Sequence, residues 1–135
     1  MNKSNCARIF LACPIIFRGR LEGPQQNLMI FGFECGNGWF ELIFELSQKI
    51  ETIAKTMKDE GCSEGSLPIV VQVKEKFGGL RFYMSNRTGD IPTLIAKAEE
   101  QSYQICERCG QAGKLSHDGG WCKTLCPECN KISQL

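Results

Sequence analysis

Residues 69–85 read IVVQVKEKFGGLRFYMS, and this stretch decides the fold that the sequence predicts. Two runs rich in β-branched and aromatic residues, Ile69 to Lys76 and Leu80 to Ser85, flank the tripeptide Phe77-Gly78-Gly79. A Gly-Gly pair between two such runs is a standard signal for a tight β-hairpin. The stretch therefore predicts two antiparallel strands joined by a short turn.

With the two glycines as the turn, Lys76 would face Arg81 and Lys74 would face Tyr83. Like charges directly opposite each other weaken a hairpin, so the Lys76–Arg81 pair would need a compensating partner. Alternation of side chains separates two faces of the hairpin. One carries Val71, Val73, Phe77, Leu80, Phe82 and Met84 with Glu75 among them, and the other carries Gln72, Lys74, Lys76, Arg81, Tyr83 and Ser85.

The basic face supplies the candidate binding residues Lys74, Lys76, Arg81 and Tyr83. Such a group could receive a phosphate backbone, a nucleotide or an acidic surface of a partner protein. The alternative, weighed about equally, is a solvated strand face with no role in binding, because charge runs are usually wet surface.

Upstream of the hairpin, apolar residues recur at the spacing of an amphipathic helix. They are Trp39, Leu42, Ile43, Leu46, Ile50, Ile53 and Met57. Asn37 is placed to cap the start of this helix, and Gly61 suits the left-handed position after its end. Residues 9–12 and 28–33 resemble short apolar or strand segments.

Downstream, Asp90 is placed to cap a second helix, with Pro92 in its first turn. The pattern predicts that this helix continues through Ser102 and runs straight into Cys106. We therefore expect an α+β fold in which a small β-hairpin or sheet packs on an amphipathic helix. Residues 1–102 would form this body, and residues 103–135 a C-terminal zinc knuckle of the zinc-ribbon type.

The knuckle is predicted from two C-x2-C pairs, whose cysteines are Cys106, Cys109, Cys126 and Cys129. The 16 residues between the pairs fall inside a recognised zinc-binding spacing. Two unrelated cysteine pairs are the less favoured alternative, and Cys122 and His117 are second-choice ligands in the same loop. Four thiolates leave no open position for water or substrate, which favours a structural Zn²⁺ over a catalytic one.

The remaining cysteines lack metal spacing, and we expect Cys6, Cys13, Cys35 and Cys62 to be buried free thiols. Both tryptophans, Trp39 and Trp121, are most simply interpreted as packing residues of the core or knuckle, and a role as surface anchors is the less favoured alternative.

Composition bounds the class of protein. The 135 residues suit one domain with a small appendage, and the formal net charge of +1 gives no global attraction for a polyanion. Binding one zinc through four thiolates would bring the net charge to about −1. No signal peptide or membrane span is recognisable, which predicts a cytoplasmic protein of a reducing compartment.

The sequence offers few of the residue combinations that form catalytic sites. His117 is the single histidine, so a triad or a zincin site cannot be assembled from the usual parts. Glu75 on the apolar face is better interpreted as an edge-strand carboxylate paired with a Lys or Arg than as a catalytic acid, because it has no second acid, histidine or metal to work with. We therefore expect a protein that is not an enzyme.

Three stretches together resemble a group of small, mostly uncharacterised zinc-knuckle proteins of bacteria, prophages and phages. They are GFECGNGW at residues 32–39, VKEKFGGLRFY at residues 73–83, and the segment from Cys106 to Cys129 with its GGW and KTLC motifs. The similarity covers about residues 28–129. The group often carries His where Cys129 stands, which agrees with a zinc ligand at that position. The resemblance implies a phage or mobile-element context, in which many short proteins bind and block host machinery, including defence systems.

Three functions remain open at this stage. The favoured one is a non-enzymatic zinc protein that binds a host protein, such as a defence component. The second is a nucleic-acid-binding zinc-ribbon protein that uses the basic hairpin, although residues 97–135 hold five basic and five acidic side chains. An enzyme acting through Glu75, Lys74 or His117 is the least favoured.

Overall fold

Two small sheets and four α-helices make up residues 1–133, the part of the chain that the computed structural model describes. The predicted α+β class is confirmed. In chain order the elements are α1 (Lys3–Ala12), β1 (Phe33–Glu34), α2 (Phe40–Asp59), β2 (Ile69–Lys76), β3 (Gly79–Ser85), α3 (Ile91–Ser102), β4 (Lys114–Ser116), β5 (Lys123–Leu125) and α4 (Pro127–Ser133). Residues 134 and 135 of the predicted knuckle lie outside the described part.

The first sheet has the strand order β1-β2-β3, and the hairpin predicted from residues 69–85 is its larger part. β1 joins β2 in parallel, with Phe33 beside Val73 and Glu34 beside Lys74. The core between this sheet and the helices is formed by side chains with almost no solvent exposure. They include Ile9, Ile16, Phe17, Trp39, Ile43, Ile50, Val70, Val73, Leu80, Phe82 and Ile91.

The turn of this hairpin differs from the prediction, because its two central residues are Phe77 and Gly78. Their φ angles are 55° and 84°, the left-handed values of a type I′ turn. Gly79 instead belongs to β3, where a Cβ would lie 2.3 Å from the Cζ atom of Tyr103. The second glycine thus serves close packing, and the carboxylate of Glu75 accepts the Gly78 N–H at 2.7 Å.

Strand pairing shifts accordingly, so that Lys74 lies opposite Arg81 and Lys76 lies opposite Gly79. The cross-strand partner of each residue is displaced by two positions, so the predicted basic face keeps its members. Phe77 leaves the apolar face because it stands in the turn. An irregularity between Val70 and Gln72 buries Val70 where Val71 was expected.

The outer edge of β3 is covered by α3. The backbone N–H of Leu80 donates to Ser102 Oγ at 2.9 Å, and the N–H of Phe82 donates to Glu99 Oε2 at 2.9 Å. These bonds satisfy strand donors that would otherwise invite pairing with another chain.

The long amphipathic helix is confirmed as α2, and its end has the predicted form. Gly61 has a φ of 91°, and its N–H bonds to the carbonyl of Lys58 while the N–H of Cys62 bonds to the carbonyl of Met57. This pair of bonds is the Schellman motif. At the helix starts, however, neither Asn37 nor Asp90 caps with its side chain.

Two further local predictions are wrong. Residues 9–12 belong to helix α1, whose N-terminus is capped by Asn2 through a bond from the N–H of Asn5. The side chain of Asn37 accepts from Asn2 N at 2.7 Å, which is why it is unavailable to α2. α3 ends at Ser102 instead of reaching Cys106, because the chain tightens into turns and Ile105 then pairs with Ala112.

The cysteine-bearing C-terminal part contacts the body through the loop before α2. The N–H of Gly38 donates to the Glu107 carbonyl at 2.7 Å, and the indole N–H of Trp39 donates to the Ile105 carbonyl at 2.9 Å. A Cβ at Gly38 would lie 2.0 Å from the carbonyl oxygen of Cys106. Glycine is therefore required for this approach, since the opposing atoms are backbone. Within residues 1–133, no helix has the length and apolarity that a membrane crossing requires.

We predict that Gly38→Ala lowers the free energy of unfolding by more than about 2 kcal/mol, because the added methyl group must push two backbone segments apart. Urea denaturation followed by circular dichroism measures the change. Gly65→Ala is the matched control, since nothing lies within 4 Å of its Cβ position, and it should change stability by less than about 0.5 kcal/mol. Equal stability of the two variants would contradict the proposed role of the contact.

Candidate metal centre

The first cysteine pair lies in a turn that is closed at both ends by backbone hydrogen bonds. The N–H of Cys106 donates to the Gln111 carbonyl at 2.7 Å, and the N–H of Gly110 donates to the Cys106 carbonyl at 2.9 Å. Gly110 has a φ of 85°, which a residue without a side chain adopts at no steric cost. This turn brings Cys109 back beside Cys106.

The second pair lies where strand β5 passes into helix α4. Cys126 follows the strand directly, and Pro127 occupies the first helical position, where its missing N–H costs nothing. The first turn of the helix then points Cys129 back toward Cys126, whose Sγ accepts the Cys129 N–H at 3.4 Å.

The four predicted ligands converge. The Sγ atoms of Cys106, Cys109, Cys126 and Cys129 all lie within 4.8 Å of one another, and those of Cys109 and Cys126 are 3.6 Å apart. A tetrahedral zinc site with Zn–S bonds of about 2.3 Å places its sulfurs about 3.8 Å apart. The cluster therefore has the size and the donor set to hold a metal ion.

Hydrogen bonds within the cluster couple the protonation of its four thiols. Burial alone would raise the pKa of Cys106, but hydrogen bonds from the backbones of Cys126, Cys109 and Arg108 lower it to about 6. The pKa of Cys129 is raised to about 12, chiefly by its side-chain hydrogen bond with Cys126. Closely spaced thiols resist successive loss of protons, so binding of a divalent cation would be coupled to proton release.

Glu107 links this centre to the rest of the fold. Its carboxylate accepts the Gly36 N–H at 2.9 Å, and its own N–H donates to the Thr124 carbonyl at 3.0 Å. Burial raises the pKa of this carboxyl, although the bond from Gly36 and the charge of Lys123 act in the opposite direction. One residue thus joins the loop before α2 to strand β5.

The second-choice ligands lie apart from the four clustered thiols. The Nδ1 atom of His117 is 3.1 Å from the Sγ atom of Cys122, and the two side chains pair with each other across the β4–β5 loop. Of the other cysteines, Cys13 and Cys35 are buried as predicted, and burial raises both pKa values to about 12. Cys62 is exposed, contrary to the prediction.

The candidate binding residues Lys74, Lys76, Arg81 and Tyr83 lie on the open side of the first sheet, and two of them have neighbours that the sequence did not indicate. Lys74 lies between Arg81 on β3 and Glu34 on β1. The guanidinium of Arg81 donates to the hydroxyl of Tyr103 at 3.3 Å, a contact that raises the pKa of Arg81. Glu34 and Tyr103 thus offset the repulsion between Lys74 and Arg81, which lie directly opposite each other.

Lys76 and Tyr83 are exposed, and two aromatic side chains that sequence reasoning assigned to packing are exposed as well. Phe77 is 66% exposed and Trp121 is 75% exposed, whereas Trp39 is fully buried. The amino group of Lys76 lies 5.5 Å from the centroid of the Phe77 ring. The exposure of Trp121 could have been predicted from its position directly after Gly119 and Gly120, because two adjacent glycines favour a loop over a buried segment.

The cysteine-bearing C-terminal segment touches the tip of the first hairpin. Thr124 Oγ1 donates to the carbonyl of Gly78 at 2.6 Å, and a Cβ at Gly78 would lie 2.5 Å from Leu115 Cδ1 and 3.3 Å from the backbone N of Lys123. Phe77 is next to Gly78 in the chain, and Trp121 lies two residues before Lys123. The contact therefore brings two exposed aromatic residues to one end of the molecule, which we call the aromatic tip (Phe77 and Trp121).

Comparison of the chain with protein-family models, with curated proteins and with solved structures gave no match. The function must therefore be argued from the geometry of these sites.

We predict that the purified chain binds one zinc ion and that chelation removes amide-exchange protection from residues 104–133 while β2, β3 and α2 stay protected. The physical reason is that this segment has a very small buried cluster of its own, so the metal supplies its folding energy. Native mass spectrometry gives the stoichiometry. Cys126→Ser should lose the metal and its matched control Cys122→Ser should retain it, and loss from both variants would contradict the assigned ligand set.

Proposed function

We propose that this chain is a non-enzymatic zinc protein that acts by docking on another protein, and that the aromatic tip is its contact surface. The observation that carries the proposal is the conformation of Phe77. A large aromatic side chain occupies a left-handed turn position, with a φ of 55°, while two thirds of its surface faces solvent.

Phe77 is an unfavourable residue for its position on two grounds. A left-handed backbone costs a residue with a bulky side chain roughly 1 kcal/mol, whereas Asn and Gly adopt it readily in type I′ turns. Because the ring is exposed, it also lacks the hydrophobic stabilisation that burial would supply to offset this cost. Strain of this kind typically occurs at sites of function.

The exposed residues of the aromatic tip and of the open sheet face have the composition of an interaction hot spot. Trp121 adds a second exposed ring, and Tyr83 on the open sheet face is 42% exposed. Tryptophan, tyrosine and arginine dominate the binding energy of protein interfaces. Lys76 beside the Phe77 ring adds positive charge, so the complementary partner surface is acidic.

In this proposal the metal is a structural element of the contact surface. Four thiolates leave no open coordination position for chemistry. The metal instead holds β4, β5 and their loop in place against Gly78, so that Trp121 stays beside the hairpin tip. The resemblance to phage and prophage proteins supports a partner in a bacterial host cell, and we propose a host protein such as a defence component.

We predict that Phe77→Asn and Trp121→Ala each weaken partner binding by about tenfold or more, because each removes an exposed aromatic anchor. Phe77→Asn should at the same time keep or raise the melting temperature, since Asn suits the turn. Capture from nuclease-treated bacterial host extract, followed by titration of the purified partner, measures the effect.

The matched control for this experiment is Leu21→Ala. Leu21 is 78% exposed and lies outside both hairpins, so the substitution removes a similar apolar surface elsewhere. The docking proposal fails if the three variants bind the captured protein equally, or if Phe77→Asn lowers the melting temperature as far as a disrupted hairpin would.

A second function, binding of single-stranded nucleic acid, is favoured by one observation: exposed rings alternate with cations on the hairpin. Such rings can stack on bases while Lys76, Lys74 and Arg81 contact phosphates. Against it, Lys74 and Arg81 already have Glu34 and Tyr103 as neighbours.

We predict that oligonucleotide binding, if it occurs, weakens steeply with salt, with a logarithmic slope reduced by about 0.7 for each phosphate contact removed. Fluorescence anisotropy with single-stranded DNA and RNA tests this with a Lys74, Lys76 and Arg81 to Ala variant. The control is a charge-matched Lys49, Lys55 and Lys58 to Ala variant on the exposed face of α2. Absence of binding at low salt would exclude this second function.

A further inference from the structure

The β4–β5 hairpin positions one thiol and one imidazole as a pair. Its register sets Leu115 opposite Thr124 and Ser116 opposite Lys123, so His117 and Cys122 are the next pair of residues across the hairpin. Side chains in directly opposed positions lie close enough to interact. The Nδ1 atom of His117 is 3.1 Å from the Sγ atom of Cys122.

This pair is distinctive within the chain. The sequence has nine cysteines but a single histidine, and that histidine contacts a thiol outside the metal-binding cluster. Cys122 is half-buried, and His117 beside it is exposed. A structural role does not require this pairing, because the strand bonds and the Thr124 contact already hold the loop at its base.

We propose that Cys122 is a modification site, at which His117 activates the thiol for exchange with a low-molecular-weight disulfide such as oxidised glutathione. A thiolate is the reactive form of cysteine, and an adjacent imidazole base generates it. In the reaction the imidazole takes the thiol proton and the thiolate attacks one sulfur of the disulfide. A mixed disulfide forms at Cys122, the original S–S bond breaks, and the departing thiolate takes the proton from the imidazolium.

Most of the other thiols are less suited to this reaction. Cys13 and Cys35 are buried, and burial raises the pKa of each to about 12, so little thiolate is present. The four clustered thiols would be engaged by metal. Cys62 is the useful comparison for reactivity. It is more exposed than Cys122 and lines a pocket with Arg18 and Lys58, but it has no imidazole beside it.

The position of Cys122 gives the modification a consequence that rests on the proposed docking function. Residues alternate across a strand, so Cys122 shares a face with Thr124, the residue that contacts Gly78 at the base of the aromatic tip. Attachment of a bulky anionic tripeptide at this sulfur would cover part of the contact surface. The reactivity itself is measurable without a partner, so the two proposals fail separately.

The test is a time course of the metal-loaded, full-length chain with oxidised glutathione, stopped by alkylation and read by peptide mass spectrometry. We expect the mixed disulfide to form at Cys122 at least about tenfold faster than at Cys62, despite the greater exposure of Cys62. His117→Gln should slow the reaction at Cys122 by about tenfold and leave the rate at Cys62 and the metal content unchanged. Cys122→Ser should remove the fast-forming adduct.

Three results would overturn the proposal. They are equal rates at Cys122 and Cys62 in the unmodified chain, an unchanged Cys122 rate in His117→Gln, and preferential attack on the clustered cysteines with release of metal. If His117→Gln loses its metal, the comparison of Cys122 with Cys62 in the unmodified chain decides the question.

Discussion

The backbone contact between Gly38 and Glu107 is the constraint that fixes the cysteine-bearing segment, and with it both candidate sites, on the body of the protein. It joins the loop before α2 to the first cysteine turn, and the carboxylate of the same Glu107 bonds to Gly36. Because a methyl group at Gly38 would clash with backbone atoms on the opposite side, the two segments are close enough that only glycine fits. The short cysteine-bearing segment thereby packs on the body of the protein, which its own small core needs for support.

A second contact joins the same cysteine-bearing segment to the first hairpin. Thr124 follows directly after the residue that pairs with Ser116, and its hydroxyl bonds to the carbonyl of Gly78 at the hairpin tip. The four-cysteine cluster, the β4–β5 hairpin and the first hairpin therefore form a connected series of contacts. In our proposal this series is what allows a strained, exposed Phe77 to be held beside Trp121, and a binding surface that is rigid before contact loses less entropy on docking.

Elements with strong local signals were predicted well. The stripe from Trp39 to Met57 specified α2, and Gly61 ended it because a left-handed residue was needed there. The two C-x2-C pairs specified the ligand cluster, because two residues between cysteines suffice to aim both sulfurs at one point. The wrong predictions concern side chains that two segments distant in sequence could both use. Asn37, for example, accepts a hydrogen bond from the N–H of Asn2 beside α1 instead of capping α2.

The sequence by itself thus determined the α+β class, the hairpin, the amphipathic helix and the four converging thiols, since each rests on residues close together in the chain. Only the tertiary structure decided which glycine lies in the turn of the first hairpin. The ring of Tyr103 occupies the space that a Cβ at position 79 would need, so Gly79 lies in β3 and Gly78 in the turn. It also decided that Trp39 is buried and Trp121 exposed, although each directly follows a glycine in the sequence. Burial depends on what packs from elsewhere in the chain, and neither the composition nor the periodicity of a segment contains that information.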